Sequence, residues 1–236
     1  MSALCETTST AGTCRLPCIA HVPSCAFLSV IYLALVSNGN QAMEAPLAQL
    51  KLGVLVGSNR RESINRKLAQ ALAKLGGDAF DVRFIRLEDL PMYNQDLEQP
   101  VPEKVARFKS EVATADALLF VTPEHSRSIP AVLKNAIDWG ARPWGKSSWG
   151  SKPAAIIGTS GGAISTAIAQ QHLRAVLGAL GLQLMGGEAY IQFKPELVDA
   201  HDEVADDGVR TFLKNFIEQF AAFASKFAST RAQRAA

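Results

Sequence analysis

Three short stretches gather side chains that could do chemistry together. The first, Gly57-Ser58-Asn59-Arg60-Arg61-Glu62-Ser63-Ile64-Asn65, combines hydroxyls, two guanidiniums and a serine placed to open a helix. Its glycine lets the chain turn sharply, and the unpaired N–H groups of a helix start carry partial positive charge. With an arginine fork added, such a loop matches a phosphate monoester dianion. The plainer alternative is a capped helix with solvated arginines. The second stretch, Thr122-Pro123-Glu124-His125-Ser126-Arg127-Ser128-Ile129-Pro130, is stiffened by its two prolines. Three uses stay open for it: gripping a planar heteroaromatic ring by its edge, housing Glu124 and His125 as a general acid/base pair, or serving as a rigid connection. The third, Thr159-Ser160-Gly161-Gly162-Ala163, is small enough to let a flat ligand approach the backbone. Glycines are common in turns, so it adds weight only beside the other two.

Two phosphate-binding patterns fail. No G-x-G-x-x-G follows the first apolar run, which removes a pyrophosphate cradle of the dinucleotide-binding type. Gly140-Ala141-Arg142-Pro143-Trp144-Gly145-Lys146-Ser147 does fit G-x-x-x-x-G-K-[ST]. A phosphate-wrapping loop of that kind needs a strand before it and a helix after it, whereas here the order is reversed and Pro143 removes a donor.

The elements that must position the three stretches are legible in the periodicity. Leu52 to Val56 is a continuous apolar run, as expected for a strand buried on both faces. A helix follows with Ile64, Leu68, Ala71, Leu72 and Leu75 on one stripe, Ser63 as its N-cap and Gly76-Gly77 at its end. Asp81 to Leu87 reads as a strand nearer an edge, and Val105, Phe108 and Val112 share a helical face. Ala117 to Thr122 reads as a central strand, followed by a helix opened by Pro130 and carrying Val132, Leu133, Ala136 and Ile137 inward. Ala154 to Gly158 is the fourth strand, then a helix from about Ser165 to Leu180, and a fifth strand within 182–193 interrupted by Gly186 and Gly187. A last helix bears a stripe of Phe212, Phe216, Phe220, Phe223 and Phe227, and the residues after Ser229 read as a tail. Five strands joined by right-handed crossovers make a three-layer α/β fold, a doubly wound parallel five-stranded sheet of flavodoxin-like order 2-1-3-4-5. In that order the three chemical loops end side by side at the switch point, where such sheets bind ligands.

Composition narrows the partners. Of the 236 residues, 48% are hydrophobic and 19% charged, and the formal net charge is +2 with no basic tract, so nucleic acid is not expected. No apolar run reaches the length of a membrane span. All four cysteines fall within Cys5 to Cys25; only Cys14 and Cys18, with His21, approach zinc-ligand spacing, and no metal site is expected. Ala26 to Val36 has the length of a signal-peptide core but lacks a basic flank and a clear cleavage site. Residues 1–42 are therefore expected to be a non-domain extension upstream of Met43, a targeting segment being the alternative, with a functional domain over 43–228 and a tail over 229–236.

Taken together, the stretches resemble the NADPH-dependent FMN reductase family, the flavodoxin-like group that includes chromate and quinone reductases, from about Lys51 to Leu182. The family's G-S-x-R-x-x-S-x-N is met by Gly57, Ser58, Arg60, Ser63 and Asn65. Its T-P-E-Y-N-x-S-x-P-G-x-L-K-N-A-I-D-W is met by Thr122, Pro123, Glu124, Ser128, Pro130, Leu133, Lys134, Asn135, Ala136, Ile137, Asp138 and Trp139. His125, Ser126 and Ala131 depart from the usual tyrosine, asparagine and glycine.

The resemblance implies Ser58, Arg60, Ser63, Ile64 and Asn65 at the FMN phosphate, Pro123, Glu124, His125 and Ser126 at the isoalloxazine, and Ser160, Gly161 and Gly162 at its other edge. It also implies NADPH or NADH as co-substrate and a ping-pong passage of two electrons to a small-molecule acceptor of quinone, chromate or flavin type, with no protein acid/base residue assigned. A cytoplasmic homodimer or homotetramer is implied as well. For Arg142, Trp144 and the last helix's aromatic stripe, subunit contact and an ordinary loop and core face stay equally open. The rival reading is a non-enzymatic flavodoxin-type electron carrier or FMN-binding protein, disfavoured because such carriers are strongly acidic with a threonine-rich phosphate loop. A phospho-receiver domain would need carboxylates after the first strand, and Gly57 to Arg61 has none.

Overall fold

Apolar runs alternate with amphipathic helices over residues 49–235, the part of the chain that the computed structural model describes. In order they are β1 (Leu50–Val56), α1 (Ile64–Gly76), β2 (Phe80–Ile85), α2 (Glu103–Thr114), β3 (Ala117–Val121), α3 (Ala131–Ala141), β4 (Pro153–Ser160), α4 (Ala167–Ala179), β5 (Gln183–Leu184), β6 (Tyr190–Gln192) and α5 (Asp207–Ala235). The cysteines, the apolar run at 26–36 and the expected start at Met43 lie outside the described residues.

The sheet order is β2-β1-β3-β4-β5, and every pairing is parallel. The expected fifth strand is broken where Gly187 takes a φ of 85°, and both pieces pair with β4: β5 beside Pro153 and Ala154, β6 beside Gly158 to Ser160. Leu52, Val54 and Val56 of β1 pack in one cluster with Leu68, Ala71 and Leu72 of α1 and Leu213, Ile217 and Phe220 of α5. On the opposite face, Leu55, Leu118, Phe120 and Ile156 meet Val105 and Phe108 of α2, Leu133 and Ile137 of α3, and Leu173 and Leu177 of α4. Alternate residues of one strand thus serve two cores, which is why the central strands read as unbroken apolar runs.

Two boundaries differ from expectation for local reasons. Helix α4 begins at Ala167, because Ser165 has a φ of 51° that no right-handed helix contains. The buried Ser165 hydroxyl instead donates to the Ile191 carbonyl at 2.6 Å and ties the turn to β6. Helix α5 continues to Ala235, so the segment read as a tail is helical. Its aromatic stripe is largely core: Phe220 is buried and Phe216 and Phe223 pack against the same cluster. That answers the open question for this helix, leaving Phe212 as its large exposed apolar side chain.

The G-x-x-x-x-G-K-S stretch leaves α3 and leads into β4, the reverse of a phosphate-wrapping arrangement. Its first glycine serves packing. A Cβ on Gly140 would stand 2.3 Å from the ring of Trp149, which is fully buried and donates Nε1 to the Ile137 carbonyl at 3.0 Å. No described helix is long and apolar enough to cross a membrane.

Candidate functional site

Hydrogen bonds across the carboxyl ends of β1, β3 and β4 bring the three loops together. The Gly57 N–H donates to the Val121 carbonyl at 2.9 Å, joining the first loop to the end of β3. Beyond that point β3 supplies one more bond to β4, from the Thr122 N–H to the Ile157 carbonyl at 2.9 Å. Asn65 then takes over as a surrogate strand. Its Nδ2 donates to the Thr159 carbonyl at 2.9 Å and its Oδ1 accepts from the Thr159 N–H at 3.0 Å, so one side-chain amide pairs both backbone groups that β3 leaves free. Gly158 permits the close approach of the second and third loops: a Cβ there would lie 2.0 Å from the Thr122 carbonyl oxygen.

In the first loop Ser63 caps α1, its buried hydroxyl accepting from the Arg66 N–H at 3.2 Å. That bond and the Arg66 and Lys67 bonds to the Ser63 carbonyl leave the N–H groups of Ile64 and Asn65 without an acceptor among the described residues. Ser58 in the same loop is half-buried, and Arg60 and Arg61 are exposed and make no ion pair among the described residues. The side chain of Asn65 is therefore committed to the fold, whereas the Ser63 hydroxyl accepts its bond and keeps its proton; the donors left for an anion include backbone N–H groups, the Ser58 and Ser63 hydroxyls and the guanidiniums.

The second loop is a tight hairpin. The His125 N–H donates to the Ser128 carbonyl at 3.1 Å and the Ser128 N–H returns the bond at 2.9 Å, with Ser126 and Arg127 both left-handed at φ 48° and 62°. Glu124 reaches sideways: Oε2 accepts from the Ile168 and Ala169 N–H groups, each at 3.0 Å, capping α4, whose own N-cap Thr166 gives no side-chain capping bond and instead accepts from Gln170 Nε2 at 2.9 Å. Oε1 pairs with Arg127 at 3.2 Å. With its side chain only 7% exposed, Glu124 is a fixed anchor, which separates it from His125 as an acid/base pair. Glu124→Ala should lower stability by about 1–2 kcal/mol through the lost cap, read as a shift in the urea midpoint at constant slope. The exposed Arg127 pair adds little to that loss.

In the third loop the Ser160 hydroxyl is also engaged, donating to the Ser165 carbonyl at 2.9 Å and accepting from the Gly162 N–H at 3.3 Å. Gly161 and Gly162 face open space: a Cβ on Gly161 would meet nothing within 4 Å, and one on Gly162 only the Ser160 hydroxyl at 3.6 Å.

The residues that follow the second loop hold a neighbour in place. Asn135 accepts from the Tyr93 N–H at 2.7 Å and donates to the Pro91 carbonyl at 3.0 Å, which also accepts from Trp139 Nε1 at 2.7 Å. Arg142 donates to the Tyr93 hydroxyl at 2.9 Å, and this bond holds its guanidinium above the ordinary pKa. The β2–α2 connection is thereby clamped on α3, with Met92 and Trp144 exposed close to the clamped residues in sequence.

A model of NADPH-dependent FMN reductases matches residues 50–196. The chain belongs to that family. A 2-hydroxy-1,4-benzoquinone reductase from a Burkholderia species is 49% identical over 175 residues, covering 74% of this chain and 96% of that protein. A quinone reductase of Pseudomonas putida is 43% identical over 174 residues, covering 73% and 93%. Among solved structures, FerB of Paracoccus denitrificans, a flavoenzyme NAD(P)H:(acceptor) oxidoreductase, aligns with a TM-score of 0.73 at 42% identity, covering 75% of this chain and 98% of that one.

For an FMN reductase the residues present fit the cofactor. The first loop holds unclaimed N–H donors beside unpaired arginines, suited to a phosphate, and Gly161 and Gly162 leave room where side chains would obstruct a flat ring. No group of three or more histidine, cysteine, aspartate or glutamate side chains suited to a metal occurs among the described residues. Sequence reasoning passed over Gly158 and the α4 N-terminus. A glycine closing an otherwise buried apolar strand was the available signal for the first; nothing local signals that a glutamate 44 residues earlier caps Ile168.

Proposed function

We propose that this FMN reductase reduces quinones with NAD(P)H in a ping-pong cycle, with the two substrates using one site in turn. The observation that carries the reading is the pair of N–H groups at Ile64 and Asn65 left without an acceptor among the described residues, in the loop that Gly57 ties to Val121 and Asn65 ties to Thr159. The Ile64 and Asn65 backbones, Ser58, Ser63 and Arg60 hold the FMN phosphate, with Asn65 also shaping that loop through its side chain. Pro123, Glu124, His125 and Ser126 border the isoalloxazine on one side and Ser160, Gly161 and Gly162 on the other. Bound FMN supplies the two-electron chemistry, and the chain binds, orients and excludes competing reactions. The quinone-reducing relatives support a quinone acceptor, with chromate and free flavin as further acceptors of the same electrons. The exposed Trp144 and Met92 suit a subunit contact in a cytoplasmic homodimer or homotetramer.

Purified protein should be yellow, release FMN on denaturation, and oxidise NAD(P)H when a quinone is added. A colourless protein that ignores added FMN would overturn the reading; one that binds FMN but leaves NAD(P)H untouched would be an electron carrier. Arg60→Ala should weaken FMN binding by about 1.5–3 kcal/mol, roughly ten- to a hundredfold in Kd by flavin fluorescence. Unchanged affinity would remove Arg60 from the phosphate site.

A further inference from the structure

The two titratable side chains of the β3–α3 loop have opposite fates. Glu124 is consumed by the α4 N-terminus and Arg127. His125 is exposed, and its imidazole meets no protein partner among the described residues. Its backbone is nevertheless held rigid by the paired bonds to Ser128. A free imidazole on a fixed mount, over the ends of the strands, is what a proton donor to a bound substrate requires.

Quinone reduction creates the need. A quinone that receives a hydride has gained two electrons and one proton and carries a negative oxygen; the neutral hydroquinone requires a second proton. The other charged groups around the loops are unsuited to give it. Glu124 and Arg127 pair with each other, His172 on α4 engages the Ser128 hydroxyl at 3.0 Å through Nδ1, and a guanidinium is no proton donor in acid/base catalysis. Glu62 sits on the first loop as an ordinary exposed carboxylate, and nothing from Thr159 to Thr166 titrates. Resting on the quinone-reductase reading above, we propose that His125 is a catalytic residue that protonates the quinone. As hydride from the NAD(P)H-derived reducing equivalents reaches the ring, an imidazolium N–H bond breaks, an O–H bond forms at the quinone oxygen, and the imidazole is reprotonated by water.

The test uses the FMN-loaded full chain with two acceptors, tetramethyl-1,4-benzoquinone, which needs the proton, and ferricyanide, which takes single electrons and none. Between about pH 5 and 8, where histidine side chains change charge, quinone kcat/KM should fall as pH rises while ferricyanide kcat/KM does not follow it. His125→Asn, which keeps a hydrogen-bonding side chain without the titration, should flatten the quinone profile and lower quinone kcat/KM roughly a hundredfold relative to ferricyanide. Nitrogen-15 NMR of histidine-labelled protein gives a readout apart from turnover. Tetramethylhydroquinone added to the oxidised protein should shift the His125 ring signals, identified by their loss in the variant, and leave those of His201 in place. Equal losses on both acceptors with an unchanged profile, or unmoved His125 signals, would overturn the proposal while leaving the reductase reading intact. A wild-type protein that is FMN-loaded yet inert to the quinone would instead defeat that reading itself.

Discussion

Asn65→Ala is expected to cost about 2–5 kcal/mol of stability, since it strands two buried backbone groups at roughly 1–3 kcal/mol each. The Thr159 N–H and carbonyl sit in a fully buried residue at the point where β3 has run out, and the Asn65 amide is their partner at 3.0 and 2.9 Å. Alanine keeps the helix propensity of α1, so the loss reports the clamp and not the helix. The same change unfastens the first loop from the third, so FMN retention should fall as well. Asn65→Asp separates the effects: its carboxylate still accepts from the Thr159 N–H but repels the carbonyl. Urea denaturation showing less than about 1 kcal/mol lost in the alanine variant would mean that the strands hold the loops without this amide.

Gly158→Ala should be about as severe, at roughly 3 kcal/mol, for a steric reason. The added methyl would lie 2.0 Å from the Thr122 carbonyl oxygen and 2.5 Å from the Thr166 hydroxyl, both in fully buried residues. A backbone oxygen cannot swing aside as a side chain can, so β3 and β4 must part where the second and third loops begin. For a domain of this size, a loss of that magnitude moves the melting temperature down by about 6–12 °C. Gly161→Ala is the matched control, because nothing in the protein lies within 4 Å of its added methyl. Its melting temperature should hardly change, while FMN affinity should drop if the ring lies against this turn as proposed. If both variants melt alike, the glycine at 158 is not there for the close approach of the two strands.

Much of the fold was legible because its signals are local. The runs Leu52–Val56 and Ala117–Val121 are apolar throughout, as strands buried on both faces must be, and the stripe of Leu68 and Leu72 with the Ser63 cap marks α1 without reference to the rest of the chain. The start of α4 was misread by two residues because the left-handed Ser165 is stabilised by Ile191, a residue from another strand. For the site, the motif residues were identifiable but their duties were not. Asn65, which the resemblance puts at an anion, is a strand surrogate through its side chain; Glu124, open between ring contact, acid/base and rigid connection, is a helix cap; Asn135 and Trp139 read as part of a signature and clamp the Pro91–Tyr93 segment.

The order of apolar and amphipathic segments alone determined that this chain forms a doubly wound parallel sheet with a phosphate-type loop at its switch point, because periodicity and capping act over a few residues and need no partner from afar. Which polar side chains remain free for a ligand was decided only in three dimensions. A hydrogen bond consumes a donor or acceptor wherever its partner comes from, and the partners of Asn65 and Glu124 arrive from 94 and 44 residues along the chain. Among the described residues, folding leaves the Ile64 and Asn65 N–H groups, Arg60 and the His125 imidazole available to a ligand.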